Sequence, residues 1–310
     1  MRVTTQAAPP SSRLRAPAAP LPVSEPLPLT KRQTLFWIER QLTPGAPIHN
    51  TMLSVDLQGR LDTRRLEAAY RATVAHLDGL RIFVDESSPR LWIVDADAPD
   101  LEQVDLSGAP ETFKAWKAEQ SLRPFAFPGW LFRPSLVRLG PEHWVFCVVY
   151  HHIGSDAAAL LRMVEVLAAF YEGREPAPGP SFRDYLQFEA AYRISPKYER
   201  DAKYWADKMG KGSPPLRFYG RAPAKKGVAF DREWYDGGAA RKVLLEELLK
   251  QDAFQLLTPN LSRLAALSTV VFAFMHRVTD GRELVIATPL ENRVGRFQNT
   301  PGLLMEETFL

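Results

Sequence analysis

The segment His151-His152-Ile153-Gly154-Ser155-Asp156-Ala157 sets two imidazoles and a carboxylate close together in a chain that has only six histidines. An imidazole titrates near neutrality, so either ring could take a proton from an incoming nucleophile or hold that nucleophile in place. Asp156 follows in the same loop, where it either orients the His152 ring or caps the helix that comes next. Gly154 either lets backbone or substrate come close or is an ordinary loop glycine. Ser155 lacks the G-x-S-x-G surroundings of an activated serine. Adjacent strand residues point to opposite faces, so His151 and His152 do not converge on one ligand, and no Cys or acidic cluster has metal spacing. No metal is expected.

These groups need a rigid support, and the flanking residues supply one. Trp144–Tyr150 is an apolar run that reads as a buried strand, and Ala157–Leu167 reads as a helix that stops near Gly173. Upstream, Lys31–Arg40 looks helical behind Thr30 as N-cap, and Asn50–Leu57 alternates as a strand. Asp62 then caps a helix whose Leu66, Ala69, Tyr70, Thr73 and Leu77 share a face. Leu80–Val84 and Leu91–Val94 read as a strand pair, Glu111–Leu122 as a helix, and Leu131–Tyr150 as a hairpin turning at Gly140-Pro141.

Three prolines between Arg174 and Pro180 mark an expected domain boundary. Beyond it, Phe182–Ile194 and Lys197–Met209 suggest helices, followed by a polar irregular stretch to about Ala239. Leu261–Val278 reads as an apolar helix and Glu283–Thr288 as a strand. The class is α/β, or mixed α+β.

Composition narrows the function. The net charge of +3 is small, and no basic stripe interleaved with aromatics is present, so nucleic acid is not an expected partner. One cysteine, Cys147, excludes an internal disulfide framework and fits the cytoplasm, which is the expected location. No window reaches the roughly 18 apolar residues a membrane span needs, so no membrane partner is expected. The proline-rich, arginine-bearing start reads as a disordered leader. Neither a Walker loop nor G-x-G-x-x-G occurs, so nucleotide cofactors are not suggested.

Five motifs, in order over residues 28–293, resemble the condensation domains of nonribosomal peptide synthetases, within the chloramphenicol-acetyltransferase-like acyltransferase superfamily. They are Leu29–Trp37 with its Gln33, His76-Leu77-Asp78-Gly79-Leu80-Arg81-Ile82, the His151–Asp156 unit, Phe182–Phe188 with the later Tyr204-Trp205, and Thr288-Pro289-Leu290-Glu291-Asn292-Arg293. Two departures stand out. Ala157 replaces a glycine, which would cost about 1 kcal/mol or more if that position needs a positive φ. Gly302–Glu307 stands where the family has G-x-F-x-N-T, and the sequence stops at Leu310.

The resemblance implies two acyltransferase-like lobes forming a V around a central channel: a leader at 1–27, a first lobe at 28–176, and a partial second lobe at 177–310. It implies that His152 is catalytic and faces the channel, that His151 and Gly154 shape the site, and that Asp156 pairs with Arg293. It implies amide-bond formation between an acyl or aminoacyl thioester and the amine of an aminoacyl thioester. Both substrates would ride on phosphopantetheine arms of carrier proteins, with adjacent synthetase domains as partners and no directly bound cofactor. A stand-alone O- or N-acyltransferase using carrier or CoA thioesters, and a non-catalytic domain that only docks carriers, are the two rival readings.

Overall fold

The computed structural model describes residues 25–210, 212, 216–221, 236–279 and 281–310. The leader expected over 1–27 lies outside the described residues up to position 24. At its far end Leu27 already belongs to strand β1 (Leu27–Pro28). Next come α1 (Lys31–Leu42), β2 (Asn50–Gln58), α2 (Thr63–His76), β3 (Ile82–Val84), β4 (Arg90–Ile93), β5 (Glu102–Asp105) and α3 (Phe113–Leu122). They are followed by β6 (Phe132–Gly140), β7 (His143–His151), α4 (Ala157–Tyr171), α5 (Phe182–Arg193), α6 (Pro196–Met209), α7 (Gly238–Leu249), α8 (Pro259–Thr279), β8 (Ala287–Leu290) and β9 (Glu306–Phe309). The class is mixed helix and strand.

Local chemistry explains where the helices begin. Thr30 and Gln33 exchange reciprocal bonds: the Gln33 N–H donates to Thr30 Oγ1 and the Thr30 N–H to Gln33 Oε1, both at 3.1 Å. Asp62 accepts the Arg65 N–H at 3.0 Å and so starts α2.

The main sheet runs β2-β7-β6-β5, antiparallel except for the parallel β5–β6 pair. A second sheet runs β1-β4-β3 and is antiparallel. Alternation on β7 splits its apolar residues between two cores. Phe146, Val148 and Tyr150 pack with Leu66, Tyr70 and Val74 of α2 and with Leu160, Met163 and Val166 of α4. Val145 and Cys147 face the other way, onto Val104, Phe113 and Trp116. Each large apolar side chain buried this way contributes about 1.5–3 kcal/mol. The strand that carries the histidines is thus clamped on both faces.

The chain forms two compact units, the first reaching Tyr198 and including Pro289–Thr308, the second comprising Glu199–Thr288 with Phe309–Leu310. Packing does not break at the proline-rich segment expected to divide the lobes. Phe182, Tyr185 and Leu186 of α5 are buried with Leu29, Phe297 and Leu304 in the first unit. In the second unit α7 packs on α8.

Three features of the second half depart from the sequence reading. The last strand before the Asn-Arg turn is Ala287–Leu290 rather than Glu283–Thr288, and its partner is the four-residue strand β9. α7 begins inside what reads as an irregular stretch, the rest of which falls largely outside the described residues. α8, 21 residues long with an 18-residue stretch of mean hydropathy 1.2, is long and apolar enough to cross a membrane by length and composition. Its apolar residues are interspersed with Ser, Thr and Asn, so the average passes where no unbroken run exists.

Candidate active site

The first unit brings the two histidines to the end of β7, where β2 begins. Asn50 is registered opposite His151. The His151 N–H donates to Leu131 O at 2.8 Å on one side, and the His152 N–H donates to His49 O at 2.9 Å on the other. The pair is therefore anchored by main chain on both flanks before any side chain is considered.

His151 is 3% exposed. Phe125 and Phe127 meet its ring edge-on, and its Nδ1 accepts the Ile153 N–H at 3.2 Å. Burial above all, and then the neighbouring His49, Arg40 and His152 charges, hold this imidazole well below its ordinary pKa. A neutral ring with one nitrogen engaged by the turn is a packing element.

His152 has different neighbours. Its ring stacks on Phe36 at 5.1 Å and 17° and meets Tyr150 edge-on at 6.1 Å. Nδ1 is buried and, among the described residues, has no hydrogen-bond partner. The residue as a whole stays partly exposed. Such a ring has proton-accepting capacity that the fold does not consume.

His49, just before β2, completes the group. Its ring lies edge-on to Phe36 at 4.8 Å and tilted toward His151 at 5.7 Å. Its Nε2 is 3.0 Å from a Glu39 carboxylate oxygen, though the contact lacks hydrogen-bond alignment. Burial pushes its pKa down, Glu39 opposes, and His152 adds to the lowering.

Asp156 and Arg293 meet in the first unit. Arg293 Nη2 lies 2.8 Å from Asp156 Oδ1, and Nη1 donates to Oδ2 at 2.9 Å, with both side chains 3% exposed. Asp156 also caps α4, its Oδ1 accepting the Ala159 N–H at 2.9 Å. The cap and the ion pair use the same carboxylate. Oδ2 further accepts the N–H groups of Leu304 and Met305 at 2.9 and 3.0 Å. Arg293 spends its remaining donors on the carbonyls of Gly302 and Thr300. Among the described residues the hydrogen bonds of the Asp156 carboxylate go to Ala159, Arg293, Leu304 and Met305 and none to the His152 ring, so the two are not joined as a hydrogen-bonded pair.

Five further positions explain motif residues. Ala157 opens α4 directly behind the Asp156 cap and is not among the positive-φ residues, so the replacement of glycine carries no strain. Gly154 is crowded by Leu131, whose Cδ1 would sit 2.9 Å from an added Cβ; its small size serves packing. Asp78 caps α5, accepting the Phe182 and Arg183 N–H groups at 2.8 and 3.2 Å. An added Cβ on the adjacent Gly79 would lie 2.6 Å from the Pro301 backbone. The Asp-Gly pair thus seats both α5 and the strap at 300–302. Asn292 adopts φ 53° and donates to the Tyr185 hydroxyl at 3.2 Å; asparagine tolerates that conformation better than most residues.

Sequence reasoning missed Phe36 and His49. The available signals were the i,i+3 spacing of Phe36 from Gln33 on one helix, and the antiparallel pairing that puts His49 one rung beyond Asn50.

Comparison with known proteins matches this site to one family. The model of the condensation domain matches residues 23–305. The isonitrile lipopeptide synthase of Streptomyces coeruleorubidus is 29% identical over 86% of this chain and 19% of its own length. Phosphinothricin tripeptide synthetase of Streptomyces viridochromogenes is 28% identical over 93% of the chain and 29% of its own. The chain therefore spans less than a third of these relatives. Among solved structures, the first condensation domain of the calcium-dependent antibiotic synthetase, in complex with a substrate analogue, superposes with a TM-score of 0.77 at 27% identity, over 93% of this chain and 70% of that one. A variant starter condensation domain of rhizomide synthetase in complex with C8-CoA gives 0.75 at 25% identity, over 92% and 66%. From its opening capped helix to the strap tied to Asp156, the chain belongs to the condensation domain family.

Proposed function

We propose that this chain joins a carrier-bound acyl or aminoacyl thioester to the amine of a second carrier-bound aminoacyl thioester. Both reactants arrive on phosphopantetheine arms, presented by carrier domains of a nonribosomal synthetase in the cytoplasm. The amine nitrogen attacks the thioester carbonyl, a C–N bond forms, and the C–S bond breaks as the carrier thiolate leaves. His152 accepts a hydrogen bond from the attacking amine and takes its proton, which the departing sulfur then receives. Tethering both reactants supplies much of the acceleration through proximity and orientation.

The observation that carries this reading is the His152 ring: set at the end of a doubly packed strand and partly exposed, with an Nδ1 that has no partner among the described residues, while His151 beside it is spent on packing. The relatives' names, which are those of peptide synthetases, support the substrate class. Arg293 and Asp156 stand in this reading as site-shaping residues that hold the 302–305 strap against α4, and His151 and Gly154 shape the turn between them.

The test is a single-turnover assay with one carrier loaded as acyl thioester and another as aminoacyl thioester. An amide on the acceptor carrier is the expected product. Ester formation with an alcohol acceptor in preference to the amine would favour the stand-alone acyltransferase, and carrier binding without product would favour a docking domain.

A further inference from the structure

We infer that Phe36 is a positioning residue for His152, acting through ring stacking in place of a hydrogen bond. This inference rests on the reading of His152 as the proton acceptor. The ring torsion of histidine is broad, and proteins usually fix it by hydrogen-bonding one ring nitrogen. His151 follows that rule, with Nδ1 on the Ile153 N–H. His152 does not: its Nδ1 is buried and partnerless among the described residues. The contact that defines its plane is Phe36, stacked 17° from parallel with a 5.1 Å centroid separation.

Phe36 is itself held firmly enough to serve. It sits on α1, and the same helix bonds the histidine turn directly: Gln33 Nε2 donates to Ile153 O at 3.0 Å in a fully buried contact. One turn of α1 thus holds the main chain at Ile153 with Gln33 and the ring of His152 with Phe36. His49 braces the arrangement from the side, its ring edge-on to Phe36 and its carbonyl on the His152 N–H. The Arg32 guanidinium lies 5.8 Å from the Phe36 centroid. Stacked this way, the imidazole has one face covered while the residue stays partly exposed, and the phenyl face stays in contact as the ring becomes cationic.

The experiment compares Phe36→Leu and Phe36→Trp with the unaltered chain, using selectively labelled histidine for NMR alongside single-turnover condensation. Ring current from Phe36 shifts the His152 ring protons upfield; Phe36→Leu is expected to return them toward the resonance of an unstacked imidazole and to lower the condensation rate about tenfold, near 1.4 kcal/mol, with acceptor KM little changed. Phe36→Trp is expected to keep both the shift and most of the rate. A His152 resonance unmoved in Phe36→Leu overturns the inference, and so does a moved resonance with an unchanged rate. If the unaltered chain makes no amide, the functional reading fails and the resonance alone decides whether Phe36 fixes the ring.

Discussion

Asp156 and Arg293, far apart in sequence, meet at 2.8 Å with both side chains nearly sealed from solvent. The carboxylate serves four masters at once: a cation, the first turn of α4, and the N–H groups of Leu304 and Met305. It fastens the loop that follows His152 to the backbone of Leu304 and Met305.

Removing one partner of such a pair strands the other. Arg293→Ala is expected to lower the unfolding free energy by about 3–5 kcal/mol, and Asp156→Asn by a comparable amount. The double variant should lose clearly less than the sum, because the interaction is lost only once. Urea unfolding of the three proteins measures this; additive losses would contradict the coupling.

The Asp78-Gly79 turn makes a steric prediction. Gly79→Ala would bring a Cβ to 2.6 Å from the Pro301 backbone, so one of the two segments must move. A loss of about 1–3 kcal/mol is expected. Ala157→Gly tests the opposite case. Because Ala157 is already helical, restoring glycine should cost up to about 1 kcal/mol and improve nothing. Thermal unfolding separates the two, and a stabilised Ala157→Gly variant would show that the position is strained.

Stability should also depend on the buried imidazole. His151 is held well below its ordinary value of 6.5, so the folded protein keeps the ring neutral where the unfolded chain takes up a proton. Below about pH 6.5 the unfolded state therefore binds more protons, and stability falls as pH falls, by at most about 1.4 kcal/mol per pH unit for one group. His151→Asn keeps an acceptor for the Ile153 N–H but does not titrate. The stability advantage of the unaltered chain over this variant is expected to narrow from about pH 7.5 to 5.5. A gap independent of pH would contradict it.

How much of this was legible beforehand follows from where the information lies. Thr30, Asp62 and the apolar faces of α2 and β7 announce themselves locally, so those elements are readable from short windows. β5 is not: Glu-Gln-Val-Asp carries one apolar residue, and its strand character comes from parallel pairing with β6. β8 likewise takes its strand character from pairing with β9. In the site, His151 and His152 were identifiable as a pair with different fates. The double service of Asp156 was not, because cap and ion pair appear as rivals until coordinates show two oxygens sharing the work. His49 and Phe36 acquire meaning only when α1 and the β2–β7 register bring them to the same ring.

In the proposed reaction the His152 imidazole carries the chemistry of amide formation. The most direct measurement is dipeptidyl- or acyl-aminoacyl-thioester formation by His152→Ala, with separately loaded donor and acceptor carriers and with the His151→Asn protein run in parallel. A loss of about a hundredfold or more at position 152 is the expected result, since positioned acid–base catalysis contributes that much, with a far smaller effect at 151. Turnover near that of the unaltered chain in a folded His152→Ala protein would contradict the account.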